Sequence, residues 1–102
     1  MADLPIACTL SPEALKARRE SLLDRLLQRS TERTDLPNGV RLRFAPDGEI
    51  LHEIARTVEA ERQCCRFLSF VVTVSPDGGP VTLDLTGPAG TREFLSAMFG
   101  ER

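Results

Sequence analysis

Apolar and polar residues alternate in four stretches of the chain and recur at helical spacing in three others. Ile6, Cys8 and Leu10 alternate with Ala7 and Thr9, which predicts a short strand with Cys8 in phase with its apolar side. Ser11-Pro12-Glu13 supplies an N-cap, a proline at the first helical position and an early acid. The helix it starts runs to about Ser30, with Leu15, Leu22, Leu23, Leu26 and Leu27 on one stripe. Asp35-Leu36-Pro37-Asn38-Gly39 is a turn cluster, and Val40, Leu42 and Phe44 then alternate with Arg41 and Arg43 as a half-buried strand. Asp47 caps a second helix that starts at Gly48. Residues 68–75 form a strand with Phe70, Val72 and Val74 on one side. Pro76-Asp77-Gly78-Gly79 turns it into a hairpin, and Val81, Leu83 and Leu85 mark the partner strand. Gly87-Pro88-Ala89-Gly90-Thr91 breaks that strand and caps a last helix burying Phe94, Leu95, Met98 and Phe99.

The predicted order is β-α-β-α-β-β-α. Helical crossovers make the first two strands parallel and the hairpin makes the last two antiparallel. The expected fold class is α/β (α+β): a two-layer sandwich with a four-stranded mixed sheet and helices on one face. With 102 residues, no repeats and no linker, the chain reads as a single domain over 1–102, with an ordered core of about residues 5–100.

The second helix carries the candidate chemistry. With Ile54 at the centre of its apolar face and steps of roughly 100° per residue, Glu61 falls about 20° to one side and Cys65 about 20° to the other. Ile50, Leu51 and Val58 share this stripe, and Cys64 lies about 80° away at its edge. The pattern places a carboxylate on a face that should be buried, which is costly unless the group is paired or neutral. Adjacent thiols at Cys64 and Cys65 suit soft metals, because thiolates are soft ligands. A tetrahedral zinc knuckle is disfavoured: the chain has three cysteines and one histidine and lacks a Cys-x-x-Cys pair. Two or three thiolates fit a low-coordinate ion instead, such as mercury, arsenic(III) or copper(I). Cys8, on a strand facing the helices, is the natural third ligand, and Glu61 an outer group that accepts a proton or orients the site. Each cysteine also has a plain reading as core, where free thiols are often found. His52 lies opposite the stripe and reads as surface. No serine–histidine–acid arrangement is nominated, so the sequence names no catalytic residue.

Composition narrows the partners. A net charge of −2 and a pI near 5.4 argue against nucleic acid or an anionic membrane. No apolar run reaches membrane-spanning length, and Met1 to Pro5 shows no leader pattern, so a cytoplasmic location with reduced thiols is expected. A protein partner or a second copy of the chain remains open.

Four stretches carry a resemblance: Cys8-Thr9-Leu10-Ser11, Gly39-Val40-Arg41-Leu42-Arg43-Phe44, Glu61 with Cys64-Cys65 and Phe67, and Leu85-Thr86-Gly87-Pro88. In these the chain resembles a small bacterial domain with a Glu-x-x-Cys-Cys-x-Phe motif, found alone or appended to MerR-type metal-responsive regulators. The resemblance implies a tie to metal or thiol stress. The element order, up to the last helix, also resembles the TusA-like sulfur carriers. Those carry a Cys-Pro pair where Cys8 is followed by Thr9, which puts their sulfur-transfer chemistry in doubt for this chain. Three functions are therefore expected: a soft-metal or metalloid binding domain, a thiol redox or sulfur-handling protein, and a structural or partner-binding module whose cysteines are core.

Overall fold

The computed structural model describes residues 24–99. Seven elements follow in order: α1 (Asp24–Arg29), β1 (Ser30–Leu36), β2 (Gly39–Phe44), α2 (Ile50–Cys64), β3 (Ser69–Val74), β4 (Val81–Thr86) and α3 (Thr91–Phe99). The strands form one sheet in the order β1-β2-β4-β3.

Every neighbouring pair in this sheet is antiparallel. The expected mixed sheet is therefore corrected. The cause is β1, which falls where the sequence pattern predicts only the end of a helix and a loop. Its residues, Ser-Thr-Glu-Arg-Thr-Asp-Leu, show no apolar alternation because it is an edge strand with mostly exposed side chains. The turn cluster is where it was expected: Pro37 and Asn38 link Leu36 to its cross-strand partner Gly39. The stretch from Ile6 to Leu10, predicted to be the first strand, lies outside the described residues, and so does most of the predicted first helix.

Alternation builds the core. Val40, Leu42 and Phe44 of β2 and Val81, Leu83 and Leu85 of β4 are buried on one face, while Arg41, Arg43 and Asp84 lie on the other. Leu26 and Leu27 of α1, Ile50 and Ile54 of α2 and Leu95 of α3 close over the buried face. The result is a two-layer α+β arrangement, with the helices as one layer and the sheet as the other. On the open face, Arg41 Nε and Nη2 grip the Asp84 carboxylate at 2.7 and 2.9 Å across the β2–β4 pair. This raises the Arg41 pKa above its usual value, first through the hydrogen bond and then through the charge.

The β3–β4 hairpin closes as predicted, with Asp77 and Gly78 both at positive φ, 57° and 67°. Position 78 suits glycine, which has no Cβ and so enters the left-handed region without steric cost. The α2 start is adjusted by two residues from the expected Gly48. Glu49 holds the N-cap position, and the Asp47 carboxylate accepts the Glu49 N–H at 2.8 Å.

α1 and α2 run antiparallel. Arg29 forms ion pairs with Asp47 and Glu53 near the start of α2, and Arg25, one turn earlier in the chain, lines a small cleft with Glu53, Arg56 and Thr57.

Candidate functional site

The last turn of α2 positions the candidate group. Helical residues four apart share a face, and Glu61 and Cys65 do so. Glu61 is 3% exposed and Cys65 0% exposed. The Cys65 thiol donates to Glu61 Oε1 across 3.9 Å, a long and weak contact of the S–H···O type. The two are also tied through the backbone, because the Cys65 N–H donates to the Glu61 carbonyl at 2.6 Å. Cys65 is the residue at which the helix ends, with φ −112° and ψ 78°. The chain then turns over: Leu68 N–H donates to the Cys65 carbonyl at 3.1 Å, and Phe67 packs edge-on against Phe94 of α3 with ring centroids 5.2 Å apart. The thiol belongs to the buried core cluster, together with Phe67 and Leu95.

The expected site residues fare as follows. Glu61 and Cys65 come together, as the helical phase requires. Cys64 closes α2, but its side chain lies outside what the structure describes, and Cys8 lies outside the described residues altogether. Among the described residues no three His, Cys, Asp or Glu side chains cluster closely enough to hold a metal ion. His52 is exposed, as expected. Leu51 departs from its predicted place: it is 44% exposed and lines a groove between α2 and β3. Thr57 takes the inner position instead, buried with its hydroxyl donating to the Glu53 carbonyl at 2.9 Å. A threonine is masked in a hydrophobicity pattern, and this back-bond to the preceding turn is what lets it sit inside.

The groove is the feature that sequence reasoning missed. Ile54, Ala55 and Val58 of α2 line it with Leu51, and Leu68, Phe70 and Val72 form the opposite wall, with Glu59 and Arg62 at its rim. Its signal in the sequence is the uncharged run over residues 68–75 in a chain where 27% of residues are charged.

Among the described residues no helix is long and apolar enough to cross a membrane. Compared with protein-family models, with curated proteins and with solved structures, the chain matches none. Fold and site together define a small α+β domain with a buried thiol–carboxylate pair at one helix end.

Proposed function

We propose that the chain is a soft-metal or metalloid binding domain. In this reading Cys64 and Cys65 are the ligands, Cys8 is a third ligand, and Glu61 is the group that receives a thiol proton. The observation that carries it is the contact between the Cys65 sulfur and the Glu61 carboxylate, both out of water. When a soft cation replaces the hydrogen on a thiol, an S–metal bond forms and a proton leaves. A carboxylate already accepting that S–H is placed to take the proton, becoming neutral as the sulfur becomes a bound thiolate. Mercury(II), arsenic(III) and copper(I) are the ions that two or three sulfurs suit.

The test is titration of the reduced protein with mercury(II), following the thiolate-to-metal absorption band in the ultraviolet. The expected result is saturation at one ion per chain, and loss of the band in a Cys64→Ser, Cys65→Ser double variant. Equal binding by that variant overturns the reading.

One observation favours a second reading, a partner-binding module in which the cysteines are structural: Cys65 is fully buried as a member of the hydrophobic core cluster. Under it, cysteine substitutions change stability and leave mercury binding at the level of any exposed thiol. A thiol redox or sulfur-handling role rests on the same residues. It is separated from both by mass spectrometry after mild peroxide or persulfide treatment, which would then show an adduct at Cys64.

A further inference from the structure

The two edges of the sheet are built differently. β1 is guarded: it carries Glu32, Arg33 and Asp35, and its pairing with β2 is irregular between Ser30 and Glu32. Charges and irregularities are the devices by which natural sheets keep an edge from pairing with another chain. β3 has neither. Residues 68–75 contain no charge and no proline, and β3 pairs with β4 in unbroken register. Val71, Val72 and Val74 are 52%, 42% and 56% exposed, and they lie on both faces of the strand. The apolar surface continues from Val72 into the groove walled by α2.

We propose that this edge joins two copies of the chain, β3 pairing antiparallel with β3 of the second copy about a two-fold axis normal to the sheet. A two-fold axis sets the central residues of a segment close to their own copies, so a charge near the axis faces its like. Of the four described strands, β3 alone is uncharged. The rim charges of the groove, Glu59 and Arg62, cancel within each copy. The same axis keeps the helices of both copies on one side of a continuous sheet, and it brings the two α2 groove walls to face each other. Pairing over six residues, about 20 Å long, is a small interface by itself, where a stable one buries roughly 800 Å² per partner. The α2 walls with Leu51, Ala55 and Val58 supply the remaining surface, and the exposed valines form cross-strand pairs of the kind that stabilise sheets.

Sedimentation equilibrium of the full, reduced chain tests this. Wild type is expected at twice the 11.3 kDa chain mass. Val72→Lys and, separately, Val74→Lys are each expected to weaken the dimer about a hundredfold, because each buries a charge from both copies in an uncharged strand pairing. Thr34→Lys, on the guarded edge, leaves the mass unchanged. Circular dichroism and a cooperative melt confirm that each variant folds, and two positions guard against one failing to do so. A wild type at one chain mass up to about 100 µM overturns the proposal. So does a dimer that both lysine variants leave intact. A monomer whose β3 amides resist hydrogen exchange until residues 1–23 are removed overturns it too, by assigning the edge to the chain's own upstream segment.

Discussion

Glu61 and Cys65 stand one helical turn apart and share an enclosed space, so whatever one does is felt by the other. A leucine at either position would satisfy the buried face without needing a polar partner. At the opposite end of the exposure scale, Glu93 occupies the first turn of α3. The N–H of its own residue and, after it, Arg92 Nη2 at 3.3 Å hold its carboxyl below the ordinary glutamate range. A carboxyl whose folded pKa lies below its unfolded value adds stability above the unfolded value. That stability is lost as the pH falls through the folded value. The expected outcome is a carbon-detected NMR titration of Glu93 with its midpoint below the model-peptide value for glutamate. In Arg92→Ala that midpoint moves up part of the way, since the backbone donor remains. A Glu93 midpoint at or above the model-peptide value contradicts the assignment.

At the level of elements, β2 and β4 are the two central strands of the sheet, and Gly39 pairs with Thr86 where no Cβ fits. A Cβ at this position would lie 1.9 Å from the Leu85 carbonyl oxygen and 2.8 Å from the Thr86 Cα. Both obstacles are backbone, so no side chain can swing aside. Gly39→Ala is expected to cost about 3 kcal/mol, seen as a fall of more than about 10 °C in Tm. A melt within a few degrees of wild type would show that the β2–β4 pairing is looser than described. The same two strands were the most legible in the sequence, because Val40, Leu42, Phe44 and Val81, Leu83, Leu85 alternate strictly around polar residues. β1 was illegible for the complementary reason. It lies at the edge, buries little, and has in Leu36 its single large apolar residue, so neither period 2 nor period 3.6 stands out. α2 was legible as a helix and as a face. Its period placed Glu61 beside Cys65, while the inward Thr57 and outward Leu51 followed from a side-chain back-bond and from an open groove, neither of which periodicity encodes.

Over the whole molecule, α2 carries both candidate features. Its C-terminal turn holds the thiol–carboxylate pair, and its outer flank, with β3, presents the largely apolar groove. The central claim is that Glu61 and Cys65 act as one unit, the carboxylate taking up the proton that the thiol gives up. Isothermal titration of mercury(II) into the reduced protein, repeated in buffers of different ionisation enthalpy, counts the protons released per ion bound. The account predicts that Glu61→Gln releases about one proton more per ion than wild type, because its amide cannot accept one. Equal proton release from the two proteins, at equal stoichiometry, contradicts it.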